Sequence, residues 1–282
     1  MAAFILFISL LAYIFGQATG YGVSFVGIAL IFSGLMSLGS YYYSDSLVLS
    51  LSGAHEVSEA EEPKLVHAVE NLALAAGLPK PRVYLIESSA PNAFATGRDP
   101  QHAVICATRG LIEMMDKNEL EGVIAHELSH VKDYDTRLMA IVAVLVGLVT
   151  ILADLFMRNM WFGGRRDREE GGGQLQMIFI VLGIILAILS PLIASLIQLA
   201  ISRRREFLAD ANGAYLTRYP EGLADALEKL AADKQPETFA SNATAHLFIV
   251  NPFKGKDTGA WFAGLFDTHP PIEERIKILR SM

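Results

Sequence analysis

Four long stretches almost free of charge limit what this chain can fold into more than any other feature. Val23–Tyr43 runs 21 residues without a charged side chain and ends in three tyrosines, the aromatic belt expected where a span meets the membrane interface. Leu138–Met157 gives 20 residues with one charge, Asp154, and Leu175–Ile201 gives 27 uncharged residues with a kink expected at Ser190–Pro191. Each is long enough to cross roughly 30 Å of hydrocarbon. Ala2–Phe15 is shorter and continues weakly to Thr19. A cleavable signal needs a cationic start, and "MAAFILF" has none, so a retained span is expected.

These blocks account for a mean hydropathy of +0.37, with 52% hydrophobic and only 19% charged residues. An integral membrane protein with one soluble portion fits that distribution. A net charge of -7 with no basic stripe argues against nucleic-acid binding. One cysteine, Cys106, excludes an intramolecular disulfide framework and fits a reducing compartment.

The chain divides accordingly. Residues 1–43 carry transmembrane helices 1 and 2, and 44–137 form the first part of a polar domain. Residues 138–201 form a transmembrane hairpin, helices 3 and 4, with a charged glycine-rich tip at 158–174. Residues 202–282 return to the polar domain. Within that domain, helices are predicted over Glu61–Ala76, Asn118–Asp133 (capped by Asp116 or Asn118), Pro220–Asp233 and Pro271–Ser281. "RVYLI" and "HAVICA" read as strands. The expected fold is an α-helical integral membrane protein with about four transmembrane helices and a mixed α+β soluble domain.

Inside the second of these predicted helices lies "VIAHELSH", Val123–His130. His126 and His130 are one turn apart, so both imidazoles leave one face and can reach one ion. Glu127, next to the first, can contact a metal-held water as a general base without ligating. A catalytic zinc site needs a third protein ligand. "SRRREFLADANGA" offers Glu206 and Asp210, also one turn apart; Glu206 would complete a His2Glu set and Asp210 would accept a histidine N–H. On spacing alone, the alternative reading of Glu206 is a solvated charge beside Arg203, Arg204 and Arg205.

"PNAFATG" (91–97), "VIAHELSH", "SRRREFLADANGA" (202–214) and "THPPIEERI" (268–276), in this order among four apolar stretches, resemble the membrane-bound M48 metallopeptidases, and among them the HtpX-type heat-shock proteases. The resemblance covers essentially the whole chain. It implies a gluzincin-like zinc metallopeptidase domain with one Zn2+ per chain, His126, His130 and Glu206 as ligands, Glu127 as base and Asp210 behind a ligand. It also implies an Asn-Ala edge strand at Asn92, Ala93 and Phe94 that pairs with extended substrate; an ordinary turn followed by a core phenylalanine is the alternative. His269 would stabilise the oxyanion, or else cap the last helix. His55, His67, His102 and His246 match no site motif.

One metal cannot draw ligands from both sides of a bilayer, so 138–201 should return to the face it left. His130 to Leu138 is about 12 Å of helix at 1.5 Å per residue, which predicts that the metal helix runs directly into the third apolar stretch. A hairpin that only dips into one leaflet is the alternative. Five cations flank the spans on the metal side (Lys132, Arg137, Arg203, Arg204, Arg205) and four on the other (Arg158, Arg165, Arg166, Arg168), a balance too even to orient the chain. The resemblance implies a multi-pass protein of the cell membrane, inner or plasma, with a cytoplasmic catalytic domain. It implies unfolded or damaged membrane proteins as substrates, in quality control under stress. A dedicated processing protease and a non-catalytic, zinc-stabilised scaffold are the other two readings; nothing in the sequence sets an oligomeric state.

Overall fold

The structure, a computed structural model, describes residues 35, 39, 41–43, 45–138, 181, 185, 203–233 and 270–282. The chain divides into two compact units, Met1–Tyr43 with Leu145–Ile193, and Ser44–Val144 with Ala194–Met282. The described positions of the first unit are helical. The four expected spans lie almost wholly outside the described residues, and among those residues no helix is long and apolar enough to cross a membrane.

The second unit is built on a four-stranded sheet in the order β1-β2-β4-β3, with β1 at His55–Glu56, β2 at Arg82–Ile86, β3 at Ala93–Thr96 and β4 at Val104–Thr108. Strands β2 and β4 are parallel, with Val83 opposite Ile105; β1 and β3 run antiparallel to their neighbours at the two edges. "VICAT" is apolar up to its last residue, Thr108, because β4 is buried on both faces, as central strands covered on two sides are. Ile105 and Ala107 join the main core, while Val104 and Cys106 join a smaller cluster with Val48, Leu49, Ile86 and Phe94. Burial pushes the Cys106 thiol far above its ordinary range, which leaves it inert.

The described part of this unit also includes the helices α1 (Pro63–Ala76), α2 (Arg109–Met114), α3 (Lys117–Lys132), α4 (Arg203–Thr217), α5 (Pro220–Ala232) and α6 (Ile272–Leu279), with further helical stretches at 45–51 and 135–138 and a 3-10 turn at Pro100–His102. Four of them match the predicted helices to within two residues at each end. The short α2 has no amphipathic period and shows in the sequence only as the Thr108 cap. The long α3 is the hub, packed against α1, α4, α5 and β3. Its start is fixed by a capping box: Asp116 accepts from Glu119 N at 2.9 Å, and Glu119 accepts from Asp116 N at 2.7 Å. Where α4 crosses α3, Gly213 lies so close that a Cβ there would stand 3.1 Å from His126 N. Glycine at this crossing brings the backbone of α4 against that of α3.

The α3 helix does not continue straight toward the third apolar stretch, contrary to the sequence-based expectation. It ends at Lys132, the N–H of Asp133 bonding Ser129 O, and Tyr134 turns left-handed at φ 60 before residues 135–138 resume helix. Periodicity alone has no marker for this break, because Tyr134 is neither glycine nor asparagine.

Candidate metal centre

The α3 helix carries His126, Glu127 and His130 on its buried side, with relative exposures of 1%, 6% and 3%. Glu206, on the first turn and a half of α4, is 0% exposed, which removes its reading as a solvated charge. One ligand atom from each of His126, His130 and Glu206 lies within 4.8 Å of the others. The two imidazole Nε2 atoms are 3.2 Å apart with their rings at 88°, and Glu206 Oε1 and Oε2 stand 3.5 Å from His130 Nε2 and 3.7 Å from His126 Nε2. Ligands about 2.0–2.1 Å from a tetrahedral ion sit roughly 3.3 Å from one another, so the set has about the size that zinc requires.

The chemistry of the set fits as well. His126 Nδ1 lies 2.9 Å from Asp210 Oδ1, and His130 Nδ1 lies 3.1 Å from Asp135 Oδ2. A carboxylate on Nδ1 fixes the proton there and leaves Nε2 with its lone pair. Two lone-pair nitrogens and a carboxylate therefore converge in a buried place, an arrangement that repels itself unless a cation joins it.

Each orienting carboxylate is itself held by an arginine. Arg275, 0% exposed, donates from Nε to Asp210 Oδ2 at 2.8 Å and from Nη2 to Oδ1 at 2.7 Å, and its Nη1 lies 3.8 Å from Glu206 Oε2. Burial alone would push the Asp210 carboxyl up; the hydrogen bonds and charges of Arg275 and His126 overcome this and hold it down at about 2. Burial opposes the charge on Arg275 too, but Asp210 and Glu206 raise its affinity for the proton. Asp135 pairs with Arg205, whose Nη2 also donates to Asp133 O at 3.1 Å. Nothing in the local sequence marks Asp135 or Arg275 as part of the site. Asp135 is five residues past His130, which on an unbroken helix is roughly 140° round the axis; only the left-handed turn at Tyr134 brings it back. Arg275 stands inside "THPPIEERI", but among the charges of an amphipathic helix nothing marks it as the buried one.

Glu127 accepts from Ala95 N at 2.9 Å, which ties it to the edge strand β3. Burial pushes its carboxyl up, only partly offset by His126 and His130. Asn92 and Ala93 lead into that strand: Asn92 N donates to Thr108 Oγ1 and Asn92 Oδ1 accepts from Ala93 N, both at 2.8 Å. The Phe94 side chain packs in the smaller core cluster, and Phe94 lies opposite Cys106 of β4. At the far end of β3, Gly97 has φ 126 and no room for a Cβ against His102 O. His55, His67 and His102 sit at the surface beside Glu87, Glu59 and Asp99. His246 and His269 lie outside the described residues.

The family model for Peptidase family M48 matches residues 59–282. A "Protease HtpX homolog" of Thermoanaerobacter pseudethanolicus is 46% identical over 286 residues, covering 100% of this chain and 93% of that protein. Proteins of the same name from Syntrophobacter fumaroxidans (50% identical, 90% of this chain and 89% of the relative) and Pyrococcus furiosus (46%, 97% and 93%) are similarly close. Among solved structures, the crystal structure of S. mikatae Ste24p shares the fold with a TM-score of 0.54 at 19% identity. The match covers 99% of this chain, which spans 63% of that one.

Proposed function

Because the chain belongs to peptidase family M48, we propose that it is a zinc-dependent endopeptidase acting at a membrane surface. His126, His130 and Glu206 hold one Zn2+, and Glu127 is the general base. The observation that carries this reading is the convergence of two Nε2 lone pairs and the Glu206 carboxylate, with Glu127 beside them. When bound, zinc supplies Lewis acidity and makes water a nucleophile near neutral pH. The chain's own part is positional. Asp210 and Asp135 fix the tautomer and direction of the two imidazoles. Glu127 takes the proton of the attacking water and passes it to the leaving amine; its raised proton affinity suits both halves of that task. The backbone N–H of Ala95 holds the other carboxylate oxygen and fixes the direction in which the base points. Asn92, Ala93 and Phe94 pair with an extended substrate through backbone groups, and His269 donates to the oxyanion.

The four apolar stretches support a multi-pass protein of the cell membrane; on the family relationship, the catalytic domain is taken as cytoplasmic and its substrates as unfolded or damaged membrane proteins. Cysteines introduced at positions 158 and 172 should then be labelled from the face opposite the zinc. Labelling from the catalytic side alone would leave two spans in place of four. An intact base next to an unsaturated ligand set disfavours a purely structural metal.

Glu127→Gln tests the chemistry. The variant should retain zinc at parental stoichiometry and lose cleavage of an unfolded protein substrate by several orders of magnitude, because a base is lost and no ligand is. Near-parental cleavage by the purified variant would remove Glu127 from its role.

A further inference from the structure

The sites of Asp135 and Arg205 in the chain give their ion pair a significance beyond the metal's immediate surroundings. Asp135 follows the turn that ends α3, and Arg205 precedes Glu206 on α4, so the pair joins the two ends of the stretch 136–204. One Asp135 oxygen meets His130 Nδ1 at 3.1 Å and the other meets Arg205, whose Nη2 also reaches the Asp133 carbonyl at 3.1 Å. Asp135 is 7% exposed as a residue and sits between the His130 imidazole and the Arg205 guanidinium. A left-handed tyrosine at φ 60, unfavourable for a residue with a Cβ, is what turns it there.

We propose that Asp135 is a positioning residue for the metal centre and that Arg205 is its clamp, so that the spacing between the two ends of 136–204 sets the affinity for the metal. The inference rests on the metal reading above and adds a route of control to it. The pair that joins these two ends is hydrogen-bonded to one proposed ligand and adjacent in sequence to another. By reciprocity, metal binding draws the two ends together, and a displacement of those ends loosens the metal.

The full-length protein in detergent, stripped of metal and titrated with Zn2+ against a chromophoric chelator, gives the test. Parental binding that disappears in His126→Ala examines the metal reading alone, and its failure would be visible in the parent. Given that binding, Asp135→Ala should weaken zinc affinity about 10–100-fold. Asp135→Asn keeps an acceptor for Nδ1–H and should recover part of the loss. Arg205→Ala should weaken affinity by about 3–10-fold, and the double variant Asp135→Ala/Arg205→Ala should be no weaker than Asp135→Ala, since both changes break one chain of contacts. Arg204→Ala, one residue away and exposed, should match the parent. With Co2+ in place of zinc, the visible absorption bands should shift in Asp135→Ala and return toward the parental positions in Asp135→Asn. A fold defect that leaves the His130 imidazole correctly oriented would not produce that ordering. Parental zinc affinity in Asp135→Ala, or losses that multiply in the double variant, would overturn the proposal.

Discussion

The candidate centre has two arms of the same composition in different surroundings. One runs His126–Asp210–Arg275 and the other His130–Asp135–Arg205. In the first, all three side chains are sealed, Arg275 at 0% exposure and Asp210 at 2%. In the second, the Arg205 side chain is 42% exposed. The chemical logic is shared: a carboxylate sets the imidazole tautomer and an arginine sets the carboxylate. The electrostatic stakes are not. A sealed pair has no water to fall back on when one partner goes, whereas a half-exposed arginine is replaced by solvent. Placing a guanidinium in the core demands a bidentate partner, and Arg275 has one in Asp210. The inner arm is therefore a fixed part of the fold, and the outer arm can yield.

The largest expected effect lies in that contrast. In metal-free protein, Arg275→Ala should lose about 3–5 kcal/mol of stability because Asp210 is left charged in the core, while Arg205→Ala should lose no more than about 1 kcal/mol. Urea unfolding followed by circular dichroism, with unchanged slopes, measures both. Similar losses would end the distinction between the arms.

A smaller effect should appear in acid. Asp210 has a folded pKa of about 2, below the roughly 3.9 of an unfolded aspartate. A depressed carboxyl stabilises the fold above its unfolded pKa and ceases to do so as pH falls through the folded one. The stability difference between parent and Asp210→Asn should thus shrink by about 2 kcal/mol between roughly pH 5 and pH 2. A constant difference across that interval would mean that the inner arm does not hold this charge.

The smallest effect concerns Glu127, the buried acid of the site that is held by a backbone N–H. Burial raises its proton affinity, so its contribution is full below the unfolded pKa and declines as pH rises through the folded one. Without metal, Glu127→Gln should be more stable than the parent at neutral pH, and the advantage should vanish near pH 4. A less stable variant at neutral pH would show that the carboxylate is held by more than the Ala95 N–H.

The features legible in the sequence are those the chain specifies over a few residues. Two histidines at i and i+4 share a helical face through backbone geometry alone, and the Asp116–Glu119 capping box is a four-residue pattern. Gly77 after α1 is left-handed, and Pro220 opens α5, both where turn chemistry predicts a boundary. Asp210 was placed one turn from Glu206 by the same reasoning, and it stands on His126.

What the sequence leaves open depends on packing between distant segments. Arg275 and Asp210 are 65 residues apart, and Arg275 looks like any charge on the polar face of α6 until α5 and α4 bury it. Asp135 would point away from His130 on a continuous helix and faces it only because Tyr134 takes a conformation its own sequence does not favour. The edge position of β3 and the burial of β4 on both faces follow from strand order, which no strand encodes alone. The sequence by itself determined which side chains could hold a metal, because ligand type and helical spacing are local properties. The tertiary structure decided which charges orient those ligands and which of the two arms is sealed, because desolvation depends on what packs against a group from the rest of the chain.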